Sequence, residues 1–121
     1  MDNNIVSKAC SRSVKGSPYK LRPLASEVRG ARLDKALGVL AVRKNKKSVL
    51  FYKLLLSAWA NAKVKFPQLQ NSAELFVSMI KVDQGSTLKY RLPGARGRDV
   101  RRKMRFSHLS VELGQVKSLV V

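Results

Sequence analysis

The apolar residues in the first half of the chain recur every three or four positions, the spacing of one face of an α-helix. This spacing predicts three helices, and the third, which is the longest, should form the centre of the core. Trp59 shares the apolar face of that helix, so packing is the preferred interpretation over stacking on bases. The predicted helices run from Ser17 to Gly30, from Leu33 to Val42 and from about Lys47 to Lys63.

The first helix has clear boundary signals and one discordant residue. Ser17 fits a helix cap, and Pro18 fits the first turn, where a missing N–H costs nothing. Gly30 supplies the stop. Pro23 falls in the interior, where it removes one backbone hydrogen bond, so it should kink the helix or shift its start.

From Ala73 onward the period changes to the alternation of β-strands. A strand over Arg105 to Leu113 alternates in the same way and should pair antiparallel with the strand that begins near Ala73. Residues 7–15 fit an edge strand or an ordered basic arm. In the strand that begins near Ala73, one face should carry Phe76, Ser78, Ile80 and Val82, and the other Leu75, Val77 and Met79.

Between these two strands the chain is almost entirely basic, with one acid, Asp99, near a turn at Pro93 to Arg98. Residues 86–104 are predicted to form an extended hairpin arm that carries its tip on the order of 30 Å beyond the core. Composition alone is equally compatible with a disordered charged loop. The basic residues of this segment are Lys89, Arg91, Arg96, Arg98, Arg101, Arg102, Lys103 and Arg105.

The length of 121 residues fits a single domain, with predicted tails at about 1–8 and about 115–121. The composition of this domain indicates an anionic partner. The 25 Lys and Arg against seven acids give a net charge of +18, and nucleic acid is the partner that such a density favours. Arginine suits bidentate phosphate contacts and stacking on bases. The small tip residues Gly94, Ala95 and Gly97 favour close packing within a large RNA.

Catalytic and metal chemistry find little support in the sequence. The acids are scattered singly, and one Cys10 and one His108 do not form a zinc or redox motif. We therefore expect a non-enzyme without cofactors, with Cys10 as a free thiol in a reducing compartment. His108 should contact RNA or solvent. No apolar run reaches the length of a membrane span, and the N-terminus does not fit a secretory signal, although a short organellar presequence stays open.

Two further basic groups are candidate RNA anchors. The amides and dipole at the start of the first helix attract phosphate, and Lys20 and Arg22 lie beside them. Taken alone, however, Ser17-Pro18 favours a simple capped helix over a phosphate site. Lys53 belongs to a cluster near the start of the long helix, where an anionic partner would relieve repulsion from the helix dipole.

Motifs in a fixed order carry a more specific signal across about residues 9–113. They are Ser17-Pro18-x-Lys20-x-Arg22, Val28-Arg29-Gly30, Ala36-Leu37, Lys53-Leu54-Leu55-x-Ser57-Ala58-x-Ala60-Asn61-Ala62, Val82-Asp83-x-Gly85-x-Thr87-Leu88-Lys89, Pro93-x-Ala95-Arg96-Gly97-Arg98 and Ser107-His108. In this order the chain resembles the bacterial-type large-subunit ribosomal proteins of the uL22 class. It departs from the usual pattern at Gly16, Tyr19, Pro23 and Trp59, and at Gly94, where the tip often has arginine.

The resemblance implies an α+β fold, with three helices packed on a small three-stranded antiparallel sheet and a long protruding basic β-hairpin. It implies a structural protein of the large subunit that binds its rRNA and supports assembly, in a bacterial cytoplasm or an organelle matrix or stroma. Neighbouring ribosomal proteins and the nascent peptide are implied partners of a monomer within the ribosome. The hairpin tip is expected to line the peptide exit tunnel, where altered tips can change macrolide sensitivity.

The resemblance and the basic pattern together define the expected contacts. The expected RNA-binding residues are Ser17, Lys20, Arg22, Arg29, Lys53, Lys89, Arg91, Arg96, Gly97, Arg98, Arg101, Arg102, Lys103, Arg105 and His108. The expected tunnel-lining residues are Leu92, Pro93, Gly94, Ala95 and Arg96.

Two other functional classes compete with this interpretation. A DNA-bending architectural protein also places a basic β-arm bearing proline on a helical base. Such a protein should dimerise and bind short duplex DNA. A small nuclease would need clustered acids, or a histidine with a partner, and the sequence shows neither.

Overall fold

The computed structural model describes residues 5–115, which form three helices and one three-stranded antiparallel sheet in the order β1-β3-β2. This α+β architecture confirms the predicted fold class. Short 3-10 turns precede β2 and join β2 to β3. The elements are β1 (Ile5–Lys15), α1 (Pro18–Val28), α2 (Leu33–Val42), α3 (Lys46–Lys65), β2 (Leu75–Pro93) and β3 (Asp99–Gln115).

Helix α1 begins at Pro18, as predicted, and continues through Pro23, which therefore does not shift its start. The Ser17 side chain makes no capping hydrogen bond, contrary to the expectation, although the Ser17 carbonyl accepts from the amides of Lys20 and Leu21 at 3.1 and 3.2 Å. The proline in the first turn thus marks the helix start. Gly30 follows the helix with a φ of +78°, the left-handed conformation that ends many helices.

Strand β1 begins at Ile5 and is an edge strand of the described sheet, where it pairs with β3. The predicted N-terminal tail of residues 1–8 therefore overlaps β1, and residues 1–4 lie outside the described part of the chain. Two side-chain bonds attach β1 to α3: the buried Ser7 hydroxyl donates to the Ala58 carbonyl at 2.8 Å, and the Asn61 amide donates to the Lys8 carbonyl at 3.0 Å.

The predicted faces of β2 were wrong because the strand contains a bulge. The register with β3 shifts between Val77 and Met79, so two residues of β2 span one step of β3. An extra residue reverses the alternation beyond it. Leu75 and Val77 are therefore buried on the same face as Ile80 and Val82, whereas the sequence pattern placed them on opposite faces.

The core lies between the helices and one face of the sheet. Phe51, Leu55 and Ala58 of α3 are fully buried, which confirms this helix as the centre of the core. Trp59 is partly buried against the core, and the Lys63 ammonium lies 3.8 Å from the centre of its ring. Packing is therefore the role of Trp59 in the fold.

Strands β2 and β3 stay paired far beyond the core, up to the pair Pro93 and Asp99. The charged segment is thus an ordered hairpin rather than a loop. A second register shift, between Gln84 and Thr87, marks the point where the hairpin leaves the body. Strand β3 ends at Gln115, and the rest of the predicted C-terminal tail lies outside the described residues.

Candidate nucleic-acid interface

The two strands of the hairpin arm segregate their side chains by chemistry. Residues directly opposite each other in an antiparallel pair point to the same face. Lys89 is opposite Lys103, and Arg91 is opposite Arg101, so one face of the arm carries two consecutive pairs of like charges. Such pairs destabilise a hairpin unless counterions or an anionic partner neutralise them.

The other face of the arm is mostly apolar. Three pairs lie on it, and they join Leu88 with Met104, Tyr90 with Arg102, and Leu92 with Val100. Both bulges of this pair lie in β2, so β3 contains no extra residue. Its side chains therefore alternate between the two faces of the sheet without interruption from the body into the arm. The basic face of the arm therefore continues the helix-bearing side of the sheet, and the apolar face continues the open side.

The tip is a tight turn with unusual backbone conformations. Arg96 and Gly97 both have positive φ angles, 60° and 70°. The Gly94 amide donates to the Arg98 carbonyl, and the Arg98 amide donates to the Ala95 carbonyl at 3.3 Å. The ion pair between Arg91 and Asp99, at 3.8 Å and largely exposed, adds little stability near the tip.

The base of the arm contacts the start of α1. This contact brings together two candidate RNA-binding groups, the basic residues of the arm and those at the start of α1. The Gly16 amide donates to the Arg105 carbonyl at 3.0 Å, and the Ser107 hydroxyl donates to the Gly16 carbonyl at 2.7 Å. A groove lies along this junction, and its basic side chains come from β1, α1 and β3. Its lining residues are Lys15, Gly16, Ser17, Lys20, Tyr90, Lys103, Met104 and Arg105.

Sequence reasoning missed four of the groove residues, which are Lys15, Gly16, Tyr90 and Met104. Lys15 was one basic residue in an ambiguous segment, and Tyr90 and Met104 were only strand-compatible positions. A signal that could have found Lys15 is its place directly before Gly16 and Ser17, since the β1 to α1 connection is only two residues long.

Other predicted contacts lie apart from this groove. Arg29 donates to the Ile80 carbonyl at 2.9 Å, so its guanidinium already links α1 to β2. Arg22 lies 5.5 Å from the ring of Tyr19 on the exposed surface of α1. Lys53 is exposed in the middle of α3, and no hydrogen bond or ion pair among the described residues links it to the arm. RNA contact by these three residues stays a prediction.

His108 is held in place on the open face of the sheet. Its Nδ1 accepts a hydrogen bond from the Ser13 amide at 3.1 Å. A Cβ on Gly85 would lie 2.9 Å from the Phe106 carbonyl oxygen and 3.3 Å from Nε2 of His108. The ring therefore packs over the bulge where the arm begins, and its contact with RNA also stays a prediction.

Within residues 5–115, no three His, Cys, Asp or Glu side chains gather in a way that could hold a metal ion. Three of the acids pair with basic residues instead, as Glu27 does with Arg43 at 2.6 Å. Cys10 is exposed and free. None of the helices in this range is long and apolar enough to cross a membrane.

The chain is similar to known proteins over most of its length. The family model described as ribosomal protein L22p/L17e matches residues 9–114. A large ribosomal subunit protein uL22 of Bacteroides thetaiotaomicron is 39% identical over 103 residues, which cover 85% of this chain and 76% of that protein. The protein of the same name from Porphyromonas gingivalis is 41% identical over 100 residues, covering 83% and 75%. That from Syntrophotalea carbinolica is 38% identical over 108 residues, covering 89% and 96%.

Proposed function

Because the chain belongs to the ribosomal protein L22p/L17e family, we propose that it is a structural component of the large ribosomal subunit and binds that subunit's RNA. The observation that carries the RNA-binding part is the basic face of the arm. There, Lys89, Lys103, Arg91 and Arg101 form two consecutive like-charged pairs on an ordered ribbon. Phosphates on that face would turn repulsion into attraction.

The arm and the body act together in this proposal. The groove at the arm base places Lys15 and Lys20 beside Lys103 and Arg105, so a single RNA segment can contact both elements. Contacts from two rigid elements fix the direction of the arm relative to the body. Such a clamp supports assembly, because the arm then meets folded RNA in one orientation.

The tip residues Leu92 to Arg96 are proposed to line the peptide exit tunnel and to meet the nascent peptide. Their exposure supports this role, since all except Gly94 are exposed and none belongs to the core. The same residues would influence the macrolide response. The protein is proposed to act as a monomer beside neighbouring large-subunit proteins, without catalysis or cofactor, in a bacterial cytoplasm or an organelle matrix or stroma.

Cofractionation tests this proposal against the runner-up, a DNA-bending protein. The tagged full-length chain is expressed in its own cells, and a sucrose gradient at moderate salt separates free protein, subunits and ribosomes. We expect the chain with large-subunit particles and intact ribosomes. A chain that runs free of ribosomes, dimerises and binds short duplex DNA would overturn the proposal.

The groove contributes a matched second measurement. Lys103→Ala removes a charge where arm and groove meet, whereas Lys65→Ala removes one at the far end of α3. We expect Lys103→Ala to weaken binding to large-subunit rRNA and to lower its salt dependence, by about 0.7–0.9 in the slope of log K against log salt. Lys65→Ala should leave both unchanged. Equal effects of the two variants would show that net charge, rather than the groove, governs binding.

A further inference from the structure

The apolar face of the arm exposes large side chains that the fold itself leaves uncovered. The exposed fractions are 54% for Leu88, 39% for Tyr90, 41% for Leu92 and 44% for Val100. These residues lie together through the pairs that join Leu92 with Val100, Tyr90 with Arg102, and Leu88 with Met104. Contiguous exposed apolar surface of this kind marks an interaction site.

The arm is a single two-stranded ribbon, and within residues 5–115 no second layer covers either face. The two faces are separated only by the thickness of this hairpin. An RNA that binds the basic face through its phosphates therefore lies close to the apolar face as well. Tyr90 also lines the groove beside Lys20 and Lys103.

The middle pair along the length of the apolar face, Tyr90 and Arg102, has the chemistry of nucleobase recognition. Tyr90 is directly opposite Arg102, so an aromatic side chain and a guanidinium side chain project from neighbouring positions on the same face. Both groups stack on bases, and the guanidinium also donates to acceptors at base edges. An apolar protein segment would bury the charge of Arg102 without a partner, which costs free energy. Bases therefore fit this face better than a protein does.

We propose that Tyr90 and Arg102, flanked by Leu88 and Leu92, form a stacking site for unpaired bases of ribosomal RNA. The opposite face, with Lys89 and Lys103, binds phosphates. This inference rests on the proposed RNA-binding function and assigns distinct roles to the two faces of the arm. The phosphate face supplies affinity that depends on salt, and the stacking face supplies affinity that does not.

The test measures the affinity of the full-length chain for protein-free large-subunit rRNA over a series of salt concentrations. Tyr90→Ala removes the stacking ring, Tyr90→Phe keeps it, and Lys103→Ala removes a phosphate contact. We expect Tyr90→Ala to weaken binding roughly tenfold with an unchanged salt slope, and Tyr90→Phe to bind within about twofold of the parent chain. Lys103→Ala should lower the slope.

Chemical probing of unpaired bases in the same complexes gives a second readout. Tyr90→Ala should expose specific bases that the parent chain and Tyr90→Phe protect, whereas Lys103→Ala should leave their protection in place wherever the complex is saturated. Thermal unfolding of Tyr90→Ala should match the parent chain, since Tyr90 lies outside the core.

Each outcome decides between defined alternatives. If the parent chain fails to bind the rRNA, the proposed function itself fails. If the parent chain binds and Tyr90→Ala binds equally well with the same protected bases, the stacking site is overturned and the proposed function stands. Loss of affinity in Tyr90→Phe equal to that in Tyr90→Ala would also overturn stacking, because the hydroxyl would then carry the contact. Unchanged RNA binding with weakened incorporation beside other large-subunit proteins would assign the face to a protein partner instead.

Discussion

The carbonyl oxygen of Arg98 lies 2.7 Å from the position that a Cβ on Gly94 would occupy. The Gly94 amide donates to the same carbonyl, so the two strands are drawn together at this point. Gly94 has a φ of −114°, a conformation that any residue adopts, and the need for glycine is therefore one of space. The tip of this chain has a tight closure that a larger residue at position 94 would prevent.

Gly94→Ala should therefore open the tip without affecting the body. The added methyl group forces the Arg98 carbonyl away and weakens the hydrogen bond that closes the turn. Two-dimensional NMR should show changed amide shifts from Ala95 to Val100 and unchanged shifts in α3. Ala95→Ser, at an exposed position, is the control and should change only its immediate neighbours. Unchanged tip shifts in Gly94→Ala would contradict this account of the turn.

Shortening the arm should leave the body folded. Replacing residues 92–100 with Asn-Gly joins the paired residues Arg91 and Arg101 through a two-residue turn that hairpins favour. The removed segment contains no core residue, so the thermal unfolding midpoint should stay within a few degrees of the parent value. Leu109→Ala in the full-length chain is the contrasting variant, and a fully buried leucine should cost about 2–5 kcal/mol. A shortened chain that no longer folds would show that the arm stabilises the body.

The helices could be predicted from sequence because their signals are local. The apolar spacing of α2 gave its boundaries, Leu33 and Val42, and Pro18 marked the start of α1. The faces of β2 could not be predicted in the same way. The bulge near Ser78 depends on how β2 pairs with β3, and a one-residue insertion leaves no clear local mark in an apolar run.

The charged arm was predictable as a basic hairpin, but the proposed roles of its two faces, phosphate binding and base stacking, were not. These roles depend on the register that places Tyr90 opposite Arg102, and that register follows from a second bulge between Gln84 and Thr87. The groove at the arm base likewise needs a tertiary contact between Gly16 and Arg105. Composition predicts an anionic partner, whereas only the pairing shows which side chains meet it together.

Ser7→Ala should destabilise the attachment of β1 to α3. The Ser7 side chain is buried and donates to the Ala58 carbonyl at 2.8 Å, and its loss removes a hydrogen bond worth about 1 kcal/mol. Urea denaturation of the full chain should show this decrease in the free energy of unfolding. Ser57→Ala, at an exposed position of α3, is the matched control and should change it by less than about 0.5 kcal/mol. Equal values for the two variants would indicate that the buried bond does not anchor β1.

Ser13 combines a positive φ of 58° with a hydrogen bond from its amide to His108, so its backbone matters more than its hydroxyl. Glycine adopts this conformation without strain, whereas a β-branched residue does so only at considerable cost. Ser13→Gly should therefore stay within about 0.5 kcal/mol of the parent free energy of unfolding, and Ser13→Val should lower it by about 1–2 kcal/mol. Urea denaturation measures both variants. If Ser13→Val proved as stable as Ser13→Gly, β1 would have to reach His108 through a different backbone conformation.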